Sequence, residues 1–380
     1  MNKQSIGVIL PEVERWSNHY GGALARYMYE VITHAPEHQF DISVYCKSCN
    51  TEHAYDYPVT EPSMGKLTLW LDRTASKIRT GFAGWFYILS FYRKIKKHDL
   101  LHIFNRPFYA LILRRLGYKG KIIVHLQNDF HKSSTEYAKR FIKSADLVIS
   151  CSQKIADRLF EKDPENVHKS QVIYNGANAD KFTFKPFDNR KKQILYVGRI
   201  DPIKGIHNLI DAFAEIVKQF PNWKLVLAGS ASFGDKAKLT PYEKEIASKI
   251  EAVNSAGEKI DHIGYVLHSK LPQLFQESQL FCLPSVVHEA FGMVIVEAVF
   301  CGTPVVCSNL GGIPEAVGEH GVLCNPTTED LKNGILEYLN HPEKMKTDSL
   351  AGLERAKTMF TWKTIAKQQF ETYENLLLAK

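Results

Sequence analysis

The chain has 380 residues, 44% hydrophobic and 23% charged, which is a globular composition rather than a disordered one and long enough for two domains with a core each. Its net charge of +7 is uneven: residues 1–185 carry 27 Lys and Arg against 18 Asp and Glu, a balance of +9, while residues 186–380 carry 21 against 23, a balance of −2. The basic first half points to an anionic partner, either a phosphorylated acceptor or an anionic membrane surface; nucleic acid is set aside because no recognised binding module is present.

The first residues run directly into an apolar strand, with no charged-then-apolar leader. No apolar run approaches the ~20 residues of a spanning helix. A cytoplasmic protein is expected, with peripheral contact to the inner face of the membrane as an option. From there the pattern alternates short apolar strands with amphipathic helices. Strands are predicted over 6–10, 40–45, 100–104, 121–125 and 147–150, and, after a break, over 193–197, 224–228, 260–263, 280–283 and 304–307. Such alternation implies parallel sheets with helices on both faces, and two successive sets imply two Rossmann-like domains. The break, FTFKPFDNRKK over 182–192, has a proline, four Lys and Arg residues and no periodicity, and reads as a linker. The expected division is therefore 1–182, a linker over 183–192, a second domain over 193–360, and a terminal helix over 361–380 packing back toward the first domain. No repeat or low-complexity tract appears.

The seven cysteines, Cys46, Cys49, Cys151, Cys282, Cys301, Cys307 and Cys324, are odd in number and sit mostly in apolar stretches, as buried reduced thiols do. Cys46 and Cys49 have CxxC spacing, but no second pair accompanies them, and a strand end is the plainer reading.

The strongest signal follows the strand over 280–283: His288, Glu289, Ala290, Phe291, Gly292, Met293, Val294, Ile295, Val296, Glu297 and Ala298. Glu289 lies just before a predicted helix and Glu297 inside it, where its apolar neighbours leave a carboxylate in need of a partner. The helix start near Phe291 and Gly292 offers backbone N–H groups and a partial positive charge that suit a phosphate. One ligand can then touch three points: a sugar at Glu289, a phosphate at Phe291, Gly292, Met293 and Val294, and a ribose at Glu297. Arg199 and Lys204 stand on the loop leaving the strand over 193–197, where two cations can clamp a diphosphate and neutralise a leaving group. Gly21 and Gly22 precede a helix from Ala23 and permit close backbone approach to a ligand. His125 ends a strand, and Gly229 with Ser230, and Tyr265 with Val266, follow two others; ligands bind at such ends.

The segment 289–297 resembles the EX7E motif of the retaining glycosyltransferases of family 4. Leu195 to Gly205 (LYVGRIDPIKG) and Gly311 to Glu315 (GGIPE) match further stretches usual in that family. The resemblance covers most of the chain, and within the family it is nearest to enzymes that build lipopolysaccharide cores and cell-surface polysaccharides. It implies the GT-B fold, two Rossmann-like parallel-sheet domains facing across a cleft. It further implies a hexosyltransferase that retains anomeric configuration. The donor is a nucleotide diphosphate sugar, with UDP the expected nucleotide and N-acetylglucosamine, glucose or galactose the sugar. The acceptor is a lipopolysaccharide, lipid-linked or other saccharide. By the same resemblance Arg199 and Lys204 hold the pyrophosphate, Gly22 lies over the donor phosphates and near the acceptor, His125 contacts the donor sugar or reacting centre, and backbone groups around Val266 hold the base. Asn175 and Gly176 match the family's Asn-Gly turn and are read as structural.

No Asp-x-Asp triplet occurs in the chain, and Arg199, Lys204 and the helix start supply positive charge instead, so catalysis without metal or other cofactor is expected. The stretch 77–97 is basic at both ends and aromatic within. It reads either as a membrane-surface segment, with Phe82, Trp85, Phe86, Tyr87, Phe91 and Tyr92 inward and Arg93, Lys94, Lys96 and Lys97 toward headgroups, or as a core helix with a solvated basic end. Two rivals to the transferase share its fold: a sugar-nucleotide epimerase, and a noncatalytic coat or scaffold protein.

Overall fold

The structure, a computed structural model, describes residues 3–17, 22–48, 54–62, 84–130, 133–230, 239–255, 257 and 259–378. It divides into two compact units, one of Met1–Asn175 with Trp362–Lys380 and one of Gly176–Thr361.

The first unit is built on a seven-stranded sheet of order β3-β2-β1-β4-β5-β6-β7, from β1 (Gln4–Ile9), β2 (Phe40–Tyr45), β3 (Val59–Thr60), β4 (Leu100–Phe104), β5 (Lys121–Leu126), β6 (Leu147–Ser150) and β7 (Ser170–Val172). Every pairing is parallel. All of β4 and nearly all of β5 are buried, as they must be when helices cover both faces. The C-terminal helix Trp362–Leu378 packs on this unit: its Tyr373 hydroxyl lies 2.7 Å from His102 Nδ1, and Thr372 Oγ1 accepts from Gln171 Nε2 at 2.8 Å.

The second unit holds a six-stranded parallel sheet of order β10-β9-β8-β11-β12-β13, from β8 (Lys191–Val197), β9 (Lys224–Ala228), β10 (Ile260–Gly264), β11 (Ser278–Leu283), β12 (Val305–Ser308) and β13 (Val322–Cys324). In both sheets the first strand of the unit is central and the fourth lies beside it. The chain winds outward in opposite directions from these two strands, which opens a crevice at their carboxyl ends.

The stretch over 183–192 is largely exposed, and it is anchored to the second unit at its two ends. Phe182 is buried with its ring against those of Phe275 and His268. Arg190 is buried too; its guanidinium donates to the Ser278, Lys185 and Cys301 carbonyls and to Thr303 Oγ1. By its contacts the second unit begins at Gly176, ahead of this stretch.

Candidate active site

Two loops leave the carboxyl ends of β8 and β11, the strands that flank the second unit's crevice. After β8 come Arg199, Asp201 and a single turn of helix, Pro202–Lys204, capped by Asp201 Oδ1 accepting from the Ile203 N–H at 3.2 Å. Gly205 follows with φ of +67°, and a Cβ on it would fall 2.0 Å from the Pro284 carbonyl oxygen. Only glycine lets this loop touch the one after β11, and the Val286 N–H donates across the contact to Ile203 O at 3.0 Å. Lys204 is thereby carried to the second loop, where its Nζ donates to Glu289 Oε1. Ser285 Oγ donates to the same oxygen at 2.6 Å.

A third loop, after β12, braces Glu289 from behind. The Gly312 N–H donates to Glu289 O at 2.8 Å, and Gly311, at φ +63°, would bring a Cβ within 2.2 Å of that oxygen. The glycine pair in GGIPE thus lies against the backbone that presents the carboxylate.

The helix Met293–Phe300 starts after Gly292, which is in the left-handed region, and no side chain caps it. Phe291 is buried, its ring edge-on to Phe360, and Met293 and Val294 form the first turn. Glu289 precedes the helix, so helical spacing does not run across the whole interval from Glu289 to Glu297. The two carboxylates are engaged by different partners. Glu297, 3% exposed within an otherwise apolar helix, meets His268, whose Nε2 lies 2.8 Å from Glu297 Oε1.

Arg199 is placed on the same loop as Lys204 but not beside Glu289: its half-exposed guanidinium is 3.2 Å from Asp201 Oδ2. At the ends of β9 and β10, the Gly229 N–H donates to Gly264 O at 2.7 Å and the Ser230 carbonyl accepts from the Ile200 N–H at 3.2 Å. Tyr265 is exposed and Val266 half-buried.

In the first unit, Gly22 caps the helix Ala23–Thr33. The place of its missing Cβ is closed by the Glu14 carboxylate, 2.6 Å away, which also accepts from the Ala25 N–H at 3.0 Å. Burial pushes the Glu14 carboxyl up, against the pull of the Ala25, Gly22 and Leu24 amides. Gly21 lies outside the described residues.

At its strand end His125 is expected to point toward ligand. Its ring is fully buried, with Nδ1 3.1 Å from His102 Nε2 and Nε2 3.0 Å from Gln127 Nε2. Burial pushes its imidazole down to about 3 and holds His102 well below the ordinary value as well. Cys46 is likewise buried, its thiol pushed up to about 12 by burial; Cys49 lies outside the described residues.

Residues 20–181 match the family described as Glycosyltransferase Family 4, and residues 178–349 match Glycosyl transferases group 1. The chain belongs to the family 4 glycosyltransferases of GT-B fold. Among its relatives, Spore coat protein SA of Bacillus subtilis is 26% identical over 305 residues, 74% of this chain and 79% of that protein. A Glycogen synthase of Mycobacterium tuberculosis is 29% identical over 237 residues, 61% of this chain, and the match spans 55% of that protein. Lipopolysaccharide 1,2-N-acetylglucosaminetransferase of Salmonella typhimurium is 26% identical over 282 residues, 69% of each chain. In fold the chain is similar to Anabaena HepE, solved in complex with UDP and glucose, with TM-score 0.71, 22% identity, and 97% and 99% of the two chains covered.

For a family 4 chain, two polar partners went unread in the sequence: Ser285 and His268. Ser285 stands in a Pro-Ser turn that gives no sign of its aim, and a lone loop histidine ordinarily reads as solvated. Among the described residues no group of three His, Cys, Asp or Glu side chains is placed to hold a metal ion, and no helix is long and apolar enough to cross a membrane.

Proposed function

We propose that this chain is a retaining hexosyltransferase that moves a sugar from a nucleotide diphosphate donor to a lipopolysaccharide, lipid-linked or polysaccharide acceptor. The observation that carries the proposal is the cluster of Lys204, Ser285 and Glu289 at the switch point of the six-stranded sheet, beside an uncapped helix start. Such a helix start favours phosphate, a lysine beside it can stabilise a departing diphosphate, and a carboxylate held by two donors is suited to hydrogen-bonding sugar hydroxyls. Because Glu289 is tied to Lys204 and Ser285, it is poorly disposed to act as a free nucleophile. Retention is then best served by front-face attack assisted by the leaving phosphate.

In this reading Glu289 holds the donor sugar. Phe291, Gly292, Met293 and Val294 present their backbone to the phosphates, with Lys204 and Arg199 as the cations, and no metal is needed. Glu297 takes the ribose, and Gly229, Ser230 and Val266 border the base. For the first unit, the reading assigns the acceptor to the strand ends that carry Gly22 and His125. UDP is the proposed nucleotide, in line with the ligand of the Anabaena protein. N-acetylglucosamine is the first choice of sugar, in line with the Salmonella relative's name, and glucose or galactose come next. Action at the cytoplasmic face of the membrane, by peripheral contact, completes the proposal.

A thermal-shift screen against UDP, GDP, ADP and their sugars tests it, since a ligand at 100 times its dissociation constant stabilises by about 2.7 kcal/mol. Transfer from the stabilising donor to a saccharide is then followed by mass spectrometry, with retained configuration checked by NMR. The name of the Bacillus relative keeps a second reading open, a coat protein that retains the fold. Failure of every nucleotide to bind would favour it, and an epimer formed from donor alone would favour the epimerase.

A further inference from the structure

We infer that His268 is a positioning residue for donor binding, acting through Glu297. This rests on the proposal that Glu297 takes the ribose. After β10 the chain turns through the single helical turn His268–Lys270, closed by the Lys270 N–H donating to Leu267 O at 2.8 Å. That turn lays the His268 ring edge-on to the buried Phe182, centroids 5.4 Å apart, and brings Nε2 to 2.8 Å from Glu297 Oε1. An ionised carboxylate only accepts, so Nε2 must carry the proton and donate.

The consequence is directional. A carboxylate 3% exposed is costly to leave unpaired, and a charge-assisted bond to one oxygen resists rotation of the group about its Cγ–Cδ axis. Fixing Oε1 therefore fixes the plane of the carboxylate and the direction of Oε2. A ribose presents two vicinal hydroxyls, and two O–H donors to one carboxylate need that plane to be set beforehand. His268 supplies the setting from a different element, the β10 end, while Phe182 fixes its ring.

Two substitutions separate the donor atom from the ring. His268→Phe keeps a ring against Phe182 and removes the N–H; His268→Gln removes the ring and keeps an Nε2 donor. Binding of UDP and GDP, each beside its 2′,3′-dideoxy counterpart, is measured by calorimetry for wild type and both variants, with His268→Ala in reserve if the Phe variant does not fold. Wild type is expected to prefer the nucleotide with its diol by about tenfold or more. In His268→Phe that preference should shrink to about threefold or less, with affinity for the dideoxy form unchanged, and His268→Gln should restore most of it. A full preference retained in His268→Phe, equal losses for both forms, or tighter binding of the diol form overturns the assignment of His268. Wild type that binds the diol and dideoxy forms alike, or binds none of UDP, GDP and ADP, instead removes the ribose reading of Glu297 and the assignment with it.

Discussion

Lys204 and Glu289 come from loops after two neighbouring parallel strands, β8 and β11, and meet through a direct bond from Nζ to Oε1. The pair exists because Gly205 and Pro284 let the two loops touch, and because the Gly311-Gly312 turn supports the Glu289 carbonyl from the other side. Ser285 adds a second donor to the same carboxylate oxygen. The ion pair fixes a cation and an anion at the place where a parallel sheet binds its ligand.

Replacing Lys204 with Ala should therefore lower kcat more than it raises KM. A leaving diphosphate gains charge in the transition state, and losing one preorganised cation should cost about a hundredfold in kcat. Steady-state kinetics with the donor found in the screen provide the check. A rise in KM with kcat unchanged would show that Lys204 merely binds donor.

Turnover should persist in excess EDTA, because Lys204, Arg199 and the start of the helix Met293–Phe300 are proposed to do the work of a divalent ion. Assays with and without added Mn²⁺ or Mg²⁺ decide the matter. An absolute requirement for either ion contradicts the metal-free reading.

Glu297→Ala should weaken UDP and UDP-sugar alike, by roughly 1–3 kcal/mol if a charge-assisted hydrogen bond to ribose is lost. The two affinities fall together because ribose is common to both ligands. Unchanged affinity in a folded variant removes Glu297 from the site.

The strands were legible where mostly apolar runs are buried, as over 100–104, 147–150 and 224–228, which coincide with β4, β6 and β9, and where apolar and polar residues alternate, as in FDISVY over 40–45, which coincides with β2. The short outer strands β3, β7 and β13 were not, because VT, SQV and VLC carry too few residues for a pattern and exist through pairing with a neighbour. In the candidate site, Arg199, Lys204, Glu289 and Glu297 stand out in the sequence by their places after strands together with the family resemblance. Their partners could not. Ser285 on Glu289, His268 on Glu297 and Glu14 beside Gly22 are contacts fixed by loop geometry, which sequence distance does not encode. The burial of His125 went unread for the same reason: its neighbour His102 lies on the adjacent strand and Tyr373 on the returning C-terminal helix.

That buried histidine pair gives the first unit a pH dependence. Burial pushes His125 down to about 3 and His102 well below its usual value, so both are neutral in the fold. In the unfolded chain each takes up a proton near pH 6.5. Below that value the unfolded state binds more protons, so stability falls as pH falls, by up to about 1.4 kcal/mol per pH unit for a neutral ring, in the case of His125 down to about pH 3. Melting temperatures from pH 7.5 down to 5.5 should drop more steeply for wild type than for His102→Gln, whatever their starting points. Equal slopes would place the pH dependence elsewhere.

The helix Trp85–Ile95 of the first unit has a buried face and an exposed one. Tyr87, Ile88, Phe91 and Ile95 are buried in its core, while Phe86 and Leu89 are exposed. Arg93, Lys94, Lys96 and Lys97 are exposed at its C-terminal end; Lys77 and Phe82, read with them in the sequence, lie outside the described residues. This end leads into the start of β4, so its cations sit away from the carboxyl ends of the strands, where an acceptor would bind. Their proposed role is attraction to an anionic membrane surface, with Phe86 and Leu89 available to the headgroup boundary. Each cation near such a surface adds about 1 kcal/mol, screened by salt within ~10 Å. Binding to vesicles of anionic lipid should therefore exceed binding to neutral vesicles and fall as salt rises. Replacing Arg93, Lys94, Lys96 and Lys97 with Gln should remove most of that excess while leaving the melting temperature and nucleotide binding unchanged, since none of the four is in the core or the donor site. If wild-type protein ignores anionic vesicles at low salt, the membrane reading fails, and these cations are the solvated end of an ordinary core helix.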